Sequence, residues 1–431
     1  MGQPTHIKTN RKLSQKYENM KFSADFHIHS RFSRATSHSL NLPILDRGAR
    51  QKGLDLIGTG DFTHPQWFGE ISRQLEEFQN GIYRLKNEKQ STCFFLTSEI
   101  SCIYKKAGKV RKIHILVTAP SLTVAEKLNR EIAKIGNIQA DGRPMLGIDA
   151  KELLKIVLDV SPECLYIPAH CLTPWFSIFG SKSGFDSIDE CFDEYSQHIY
   201  ALETGLSADP NMIWRIPDGR RLTLISNSDA HSEEKLGREA NFFDCEMDYA
   251  EICRVIKEKD NKKFLFTAEF YPQEGKYFHD GHSACSINFS PAESKKFNNI
   301  CPVCGSPLVI GVLNRVEQLA DQPNGFMPEN AIPCRHIVPL KEIIAGILGK
   351  TVAAQAVQKI YDQLIKAFGN EFNALLNADF FDIQRETSPE IADGIARARK
   401  GDIKWIEGYD GVFGRITGFA PSPKQTQQKI I

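Results

Sequence analysis

The sequence predicts an α/β barrel of seven strands, followed by a small cysteine-containing module and a mainly helical C-terminal region. Seven short apolar runs, each typical of a buried strand, end on or beside residues with imidazole or carboxylate side chains. Segments with helical periodicity separate these runs, which is the alternation that a barrel with outer helices requires. In such barrels the carboxyl ends of the strands share one rim, where the chemistry takes place.

The seven strand ends carry residues that can bind a metal ion. In chain order they are His27 and His29, Asp61 with His64, Glu99, His114, His170, Glu203, and Asp229 with His231. One His-x-His pair is weak evidence, because alternate side chains of any strand share a face. Half of the 12 histidines lie at these ends, however, and imidazole and carboxylate are ligands of zinc, manganese and iron. The repetition predicts a site for several metal ions at the rim.

The segments between the strands have the periodicity of amphipathic helices. They are residues 71–85, 121–135, 149–157 and 247–257. Asp149 begins the third of them and is a residue type that caps helix N-termini. The connections at residues 137–147 and 173–184 are longer than usual, and loops of that length are often functional.

A cysteine motif follows the predicted barrel. Cys301 and Cys304 form a Cys-x-x-Cys pair followed by glycine, and Cys285 supplies a third thiol. His282 is the preferred fourth ligand, with His279 and Cys334 as alternatives. Four sulfur and nitrogen ligands form a closed, structural zinc site. A redox role is the competing interpretation, but Pro302 and Gly305 suit a zinc-binding turn better than the start of a helix.

From residue 339 onward the pattern is helical, over residues 340–348, 353–368, 371–376 and 393–400. A glycine-rich end at residues 407–416 predicts hairpin turns, with phosphate binding by backbone amides as the alternative. The expected division is an extension at 1–20, the barrel at 21–272, a zinc-binding module at 273–336, a mainly helical domain at 337–420, and a disordered tail at 421–431.

Charge and cysteine content limit how the protein could bind nucleic acid and where in the cell it is expected. With 53 basic and 53 acidic residues the formal charge is zero, so a role on nucleic acid must depend on local clusters such as residues 105–112. That cluster also has the composition of a solvated hairpin tip. Three observations favour a cytoplasmic protein without a membrane partner. The N-terminus is polar, and the sequence has no membrane-length apolar stretch of about 18 residues. The 11 cysteines are scattered through apolar segments.

The order of the strand-end residues resembles the PHP (polymerase and histidinol phosphatase) family of phosphoesterases. The resemblance covers residues 21–272 and implies a distorted (β/α)7 barrel that binds up to three metal ions through nine residues. Matched one by one, the nine are His27, His29, Asp61, His64, Glu99, His114, His170, Asp229 and His231. The sequence departs from many members at one point, because Phe62 and Thr63 separate Asp61 from His64.

Within the PHP enzymes the sequence is most similar to the endonuclease Q family. Three stretches carry this resemblance, at residues 58–65, 168–176 and 179–186, together with the cysteine module. The resemblance implies a metal-dependent endonuclease that cuts DNA 5′ of deaminated bases such as uracil, hypoxanthine and xanthine. The implied partners are duplex DNA with a deaminated base, single-stranded DNA and a replication sliding clamp.

Roles for individual residues follow from this resemblance and from general chemistry. Zinc-type ions at the rim, with magnesium or manganese as alternatives, activate water and neutralise phosphate charge. Glu99 and Asp229 are expected to bridge ions and, with His231, to form the catalytic set, while Glu203 orients a histidine or water. The loop after His170 is expected to bind the substrate through five side chains: Trp175, Phe176, Phe179, Ser181 and Lys182.

Other functions share part of this pattern. A small-molecule phosphatase would use the same rim but has no need of a zinc module or a helical tail, and a less specific DNA exonuclease or phosphoesterase is a related alternative. A non-catalytic DNA-binding adaptor would be expected to have lost ligands, whereas all nine are present here.

Overall fold

The computed structural model describes residues 21–88 and 90–419, which form a mixed α/β fold. Its strands in chain order are β1 (Lys21–Asp25), β2 (Leu56–Gly58), β3 (Leu75–Gln79), β4 (Ile82–Leu85), β5 (Cys93–Phe95), β6 (Thr97–Lys106), β7 (Lys109–Thr118), β8 (Met145–Leu146), β9 (Tyr166–Pro168), β10 (Ala201–Glu203), β11 (Thr223–Ile225), β12 (Ala240–Asp244), β13 (Phe264–Phe270), β14 (Asp280–His282), β15 (Ile287–Phe289), β16 (Cys334–Ile337), β17 (Ile403–Ile406) and β18 (Arg415–Phe419). The expected N-terminal extension and disordered tail lie outside the described residues.

The helices connect these strands and dominate the C-terminal part. They are α1 (Leu42–Lys52), α2 (Pro65–Gln74), α3 (Leu122–Ala133), α4 (Ala150–Val160), α5 (Ile188–Phe192), α6 (Pro210–Ile213), α7 (Pro217–Arg221), α8 (Tyr249–Lys257), α9 (Pro291–Lys296), α10 (Val312–Leu319), α11 (Leu340–Leu348), α12 (Gln355–Phe368), α13 (Phe380–Glu386) and α14 (Pro389–Lys400). Within residues 21–88 and 90–419, none is long and apolar enough to cross a membrane.

The strands that carry the predicted ligands lie in three sheets. In an eight-stranded sheet of order β16-β13-β12-β1-β2-β5-β4-β3, β1, β2 and β5 run parallel. A four-stranded sheet has the order β8-β6-β7-β9, and β10 and β11 form a parallel pair. Contacts between β9 and β10, and a bridge between Ile28 and Ala230, connect the sheets. The strand ends therefore face one common region.

The sequence prediction of the intervening helices is confirmed at three of four places. Helix α3 begins after Ser121, α4 begins after Asp149, and both residues accept a backbone N–H bond as N-caps. Helix α8 follows Asp248 in the same way. Each helix buries one apolar face, as Leu153, Leu154 and Val157 do in α4, because that face provides the free energy that holds a short helix on the core.

The predicted helix over residues 71–85 is wrong in its second half. Helix α2 ends at Gln74, and residues 75–85 form the antiparallel strands β3 and β4. Asn80-Gly81 lies between them, a dipeptide typical of hairpin turns. Gly81 has φ of 69°, and a Cβ there would lie 2.7 Å from the Pro120 carbonyl oxygen. The apolar spacing is compatible with either a helix or two strands, and the Asn-Gly turn favours the two strands.

The C-terminal segments are helical where periodicity predicted them, since α11, α12 and α14 occupy residues 340–348, 355–368 and 389–400. Residues 373–377 form a π-helical turn. The glycine-rich end lies between β17 and β18, which pair as an antiparallel hairpin. Hairpin turns are therefore the correct interpretation of that segment.

Candidate metal centre

Six of the nine predicted ligands converge in two buried groups. His27, His29, Glu99 and Asp229 form one group, and Glu99, His114 and His170 form the other; within each group the ligand atoms lie within 4.8 Å of one another. Four different strands, β1, β6, β7 and β9, bring the histidines and Glu99 there, while Asp229 follows β11. Convergence of distant segments on one point is the arrangement expected of a metal centre at strand ends.

In the first group, ring nitrogens and carboxylates face each other at close range. His29 Nε2 lies 3.1 Å from Asp229 Oδ1 and 3.3 Å from Glu99 Oε2, and His27 Nε2 lies 3.6 Å from the same Glu99 oxygen. His27 Nε2 is buried and has no hydrogen-bond partner. A buried polar atom rarely lacks a partner, and this one points at carboxylates, so the donor set fits a cation.

Glu99 joins the two groups, one oxygen to each. Its Oε1 lies 2.6 Å from His114 Nδ1 and 3.1 Å from His170 Nε2. These two ring nitrogens are only 3.2 Å apart. Two imidazole nitrogens and a carboxylate oxygen that meet without an intervening group are also a donor set for a divalent cation. The geometry thus places Glu99 where the sequence predicted a bridging carboxylate.

The charges of this centre keep its carboxylates ionised. Burial raises the pKa of Glu99, but its interactions with His114 and Arg143 outweigh that effect and hold the pKa well below its usual range. Burial also raises the pKa of Asp229, and the hydrogen bond from His29 and the charge of His231 reverse the effect. Burial lowers the pKa of His114 to about 4, whereas for His27 and His29 the neighbouring carboxylates outweigh burial and raise the pKa. Ionised carboxylates and neutral imidazole are the forms that bind metal.

Glu203 holds His27 in its orientation. Its two carboxylate oxygens lie 2.9 and 3.0 Å from His27 Nδ1, which leaves Nε2 free to face the centre. Asn227 Nδ2 and the His170 backbone N–H also donate to Glu203. This is the orienting role predicted for Glu203, because a carboxylate on the far ring nitrogen fixes the tautomer of a ligand histidine.

Asp61 is placed differently from its prediction as a metal ligand. Its Oδ1 lies 3.0 Å from His29 Nδ1, on the far side of that ring. Its Oδ2 accepts hydrogen bonds from the Ser30 backbone N–H and from the hydroxyls of Ser30 and Ser33. Both oxygens are therefore engaged, and in this arrangement Asp61 contacts His29 on the side away from Glu99 and Asp229, while its role as a metal ligand stays a prediction.

His64 and His231 also lie outside the two groups. His64 stacks on Phe32, with ring centroids 4.3 Å apart, and its Nε2 lies 3.2 Å from the Gln139 carbonyl oxygen. His64 directly precedes helix α2, which begins at Pro65. His231 directs Nδ1 to the Asp229 carbonyl oxygen at 2.9 Å, and its ring lies 4.5 Å from that of His29. It occupies the open edge of the centre.

Sequence reasoning did not single out Arg143. Its guanidinium donates to Glu99 Oε2 at 3.0 Å and remains 23% exposed. The sequence did give one indication of a role for Arg143, because this residue lies in the long connection at residues 137–147 that was predicted to be functional. A single arginine in a loop forms no recognisable sequence motif, so only the fold shows that Arg143 reaches the centre.

The cysteine module also brings its four predicted ligands together. His282, Cys285, Cys301 and Cys304 place their ligand atoms within 4.8 Å of one another. Hydrogen bonds from Ser306 lower the pKa of Cys304 to about 6, which favours the thiolate. His279 instead bonds Asn288, and Cys334 lies in β16 beside Asn211. The preference for His282 as the fourth ligand agrees with this geometry.

The loop after His170 is only partly available to a substrate. Trp175 is half-buried with its ring centroid 6.0 Å from that of Tyr277, and the Phe176 ring lies 4.6 Å from that of His114. Phe179 is fully buried, so its prediction as a substrate contact is wrong; the side chain fills the core beneath the loop. Ser181 donates to the Ile310 carbonyl oxygen, while Lys182 is exposed.

Sequence comparisons find related proteins that match most of the chain. The family described as the MJ0043 C-terminal domain matches residues 339–402. An uncharacterized protein of Bacillus subtilis, YqxK, is 32% identical over 412 residues, which cover 92% of this chain and 99% of YqxK. The uncharacterized protein MJ0043 of Methanocaldococcus jannaschii is 35% identical over 273 residues, 60% of this chain. The chain spans only 33% of the length of MJ0043.

Two solved structures share both the fold and the extent of the chain. The lesion-specific endonuclease PfuEndoQ from Pyrococcus furiosus superposes with a TM-score of 0.82 and 30% identity, over 94% of this chain and 96% of the other. An endonuclease Q complex with a 27-mer duplex carrying an abasic lesion at its active site gives 0.83 and 30%, over 94% and 97%. The chain belongs to the endonuclease Q family. The predicted similarity to the endonuclease Q family is thereby confirmed.

Proposed function

We propose that this endonuclease Q family member hydrolyses DNA phosphodiester bonds 5′ of deaminated bases, namely uracil, hypoxanthine and xanthine. The observation that carries the proposal is the pair of buried ligand groups joined by Glu99. It occurs in a chain that matches a lesion-specific endonuclease over nearly its full length. Carboxylate and imidazole clusters of this kind suit metal-assisted phosphodiester hydrolysis.

The residues that would hold the metal follow from the two groups. His27, His29, Glu99 and Asp229 would hold one ion, and Glu99, His114 and His170 a second. We propose zinc, with magnesium or manganese as alternatives; such ions lower the pKa of a bound water and offset charge on the phosphate. A third ion, implied by the family resemblance, would require Asp61, His64 and His231 to leave their present partners.

The chain's own groups prepare this site for a phosphodiester. Glu99 and Asp229 stay ionised because of the low pKa of each, and Glu203 fixes the direction of His27. Arg143 presents a partly exposed guanidinium beside Glu99, where it can bind a phosphate oxygen. Asp229, Glu99 and His231 remain the proposed catalytic set, with His231 at the open edge of the centre.

A groove with several basic side chains, beside the loop after His170, supports DNA binding. It measures about 620 Å³ and lies between the β6–β7 hairpin and the loop at residues 173–185. Its basic lining residues are Lys106, Lys109, Arg111, Lys182 and Arg315. Lys109 and Lys182 are exposed, and phosphate contacts from such lysines bind DNA without regard to sequence. The proposed main partner is duplex DNA with one lesion, and the second is single-stranded DNA.

The architecture around the site is also part of the proposal. We propose that β1, β2, β5, β7, β9, β10 and β11 form a distorted seven-stranded barrel over residues 21–272. Residues 273–336 form a module that His282, Cys285, Cys301 and Cys304 hold through one structural zinc ion. Residues 337–420 form a mainly helical domain.

Cleavage of defined duplexes tests the proposed function. Purified protein is incubated with zinc, magnesium or manganese and with end-labelled duplexes that carry one uracil, hypoxanthine, xanthine or abasic site. We expect a single cut 5′ of the lesion, none in the undamaged duplex, and none with the Asp229→Asn variant. Equal cutting of damaged and undamaged DNA would contradict lesion specificity. Hydrolysis of phosphomonoesters without DNA cutting would support the phosphatase alternative instead.

A further inference from the structure

The backbone of the metal centre is strained at the point where Asp229 supplies its carboxylate. Asp229 has a φ of 47°, in the left-handed region that residues with a side chain uncommonly adopt. A residue keeps such a conformation only where the surrounding structure holds it there. Asp229 Oδ1 lies 3.1 Å from His29 Nε2, so the groups that hold this backbone also set the direction of the carboxylate.

Asp25 holds both ends of the segment that contains Asp229. Its Oδ1 accepts a hydrogen bond from the backbone N–H of Ser228, directly before Asp229, at 3.0 Å. Its Oδ2 accepts from the backbone N–H of Gly237, also at 3.0 Å. The Asp25 side chain is completely buried. One carboxyl group therefore fixes the distance between two backbone groups and closes the segment between them into a loop.

Two further hydrogen bonds hold the peptide groups on either side of Asp229. Arg238 Nε donates to the carbonyl oxygen of Ser228 at 3.0 Å. The backbone N–H of His29 donates to the carbonyl oxygen of Ala230, also at 3.0 Å. Because the chain is fixed before and after Asp229, its backbone has little freedom to relax to a right-handed conformation.

Asp25 contributes to the centre without belonging to either ligand group. It is the last residue of β1, and His27 and His29 follow it directly in the chain. Both of its oxygens already accept from backbone N–H groups. One short stretch of chain thus supplies two ligand histidines and also fixes the position of a carboxylate from a distant segment.

We propose that Asp25 is a positioning residue of the metal centre. By tying Ser228 to Gly237 it keeps Asp229 in the left-handed conformation that directs its carboxylate at the ligand histidines, and Arg238 assists by holding the Ser228 carbonyl. The effect on metal binding follows from the ligand groups alone, whereas the effect on cleavage rests on the proposed function.

Two variants separate this role from a simple effect of charge. Asp25→Asn keeps one acceptor but turns an amide N–H toward the second backbone N–H, and it removes a negative charge. Arg238→Met removes the donor to Ser228 together with a positive charge. Through charge alone, the first change would weaken the binding of a cation and the second would strengthen it. Loss of the hydrogen bonds should weaken binding in both variants.

Metal affinity is measured without DNA, by titrating chelator-treated protein with Mn²⁺ and detecting the free ion by electron paramagnetic resonance. Manganese favours carboxylate over thiolate ligands, so the cysteine module does not interfere. We expect about 10- to 100-fold weaker binding in Asp25→Asn, as for loss of other groups that orient ligands. Binding in Arg238→Met should be about threefold weaker or more, as expected for the loss of one hydrogen bond.

Asp46→Asn is the matched control, at another buried aspartate. Asp46 Oδ1 accepts from the Thr92 backbone N–H at 2.7 Å, and Oδ2 pairs with Arg50 at 2.8 Å. This variant should lower the melting temperature and leave the Mn²⁺ affinity unchanged. An equal loss of affinity in Asp46→Asn would show that affinity merely follows stability, which refutes the positioning role. If Asp25→Asn does not fold, the direction of the change in Arg238→Met still decides.

Cleavage of a uracil duplex at saturating Mn²⁺ gives a second measurement. We expect Asp25→Asn to lower kcat about tenfold or more, because a misdirected ligand disturbs the reacting centre, while KM for the duplex stays close to that of wild type. Opposite shifts of metal affinity in the two variants, or no shift in either, refute the positioning role and leave the nuclease proposal intact. Weaker binding in both variants of a protein that cuts no DNA supports the positioning role and refutes the nuclease.

Discussion

At the scale of single residues, the centre depends on carboxylates that touch the far side of its histidines. Glu203 fixes His27, and Asp61 fixes His29, each by a bond to Nδ1. The nitrogen that faces the centre is Nε2 in both rings. Removing such a carboxylate leaves every ligand residue in place, but the histidine ring is no longer held in one orientation. The effect therefore differs from the loss of a ligand.

The first prediction concerns Glu203. Glu203→Gln should weaken metal binding about 10- to 100-fold and lower cleavage correspondingly, because the amide is a poorer partner for His27 Nδ1. Metal titration of the chelated protein measures the affinity, and excess metal should partly restore activity. Glu246→Gln on the surface serves as the control. Unchanged metal affinity in Glu203→Gln would contradict the orienting role.

At the scale of elements, the loop at residues 173–185 contains aromatic side chains with opposite environments. Trp175 is half-buried beside Tyr277, whereas Phe179 is fully buried and its backbone carbonyl accepts from Arg315. The first ring is partly exposed, where we propose that it meets DNA, and the second holds the loop on the core. The two substitutions should therefore separate substrate binding from stability.

The second prediction is that Trp175→Ala lowers affinity for a uracil duplex about tenfold through lost stacking, with little change in thermal stability. Phe179→Ala should instead reduce the free energy of unfolding by about 3–5 kcal/mol, as truncation of a buried phenylalanine does. Anisotropy with labelled duplex and denaturant unfolding measure the two effects. A Phe179→Ala protein with wild-type stability would show that the ring is not part of the core.

The cysteine module is a second element whose order should depend on metal. Few large apolar side chains are buried there besides Phe278, Leu308, Ile332 and the helix α10 face, so ligand bonds must supply much of its stability. The third prediction is that Cys301→Ser lowers the melting temperature and releases one zinc ion per chain. The buried Cys93→Ser variant is the control and should retain that zinc. Equal zinc content in both would refute the structural site.

At the scale of the whole molecule, one buried ion pair ties the α/β part to the C-terminal helices. Lys52 Nζ, at the end of α1, lies 2.6 Å from Glu371 Oε2. Glu371 also accepts from the Leu340 backbone N–H and the Tyr361 hydroxyl. Its carboxylate therefore joins α1, α11 and α12, and its loss would leave three donors unpaired.

The fourth prediction is that Glu371→Gln destabilises the protein by about 3–5 kcal/mol, the range for breaking a buried pair. Burial raises the pKa of Glu371, but Lys52 outweighs that effect and lowers it. The stabilisation is therefore present above the ordinary pKa of a glutamate and is lost as pH falls through the folded-state pKa. Denaturant unfolding as a function of pH should show a smaller acid-dependent loss in the variant than in wild type.

The amino-acid sequence by itself determined the α/β class, the strand ends that bear candidate ligands, most helices, and the three cysteines of the cysteine module with His282 as their preferred companion. These follow from local signals, such as apolar periodicity, caps and Cys-x-x-Cys spacing, which need no knowledge of distant contacts. Only the tertiary structure decided that Asp61 contacts the far side of His29, that Phe179 is core, and that Arg143 reaches Glu99. Each of these facts depends on which distant segments of the chain come together, and the chemistry of a single side chain does not determine that.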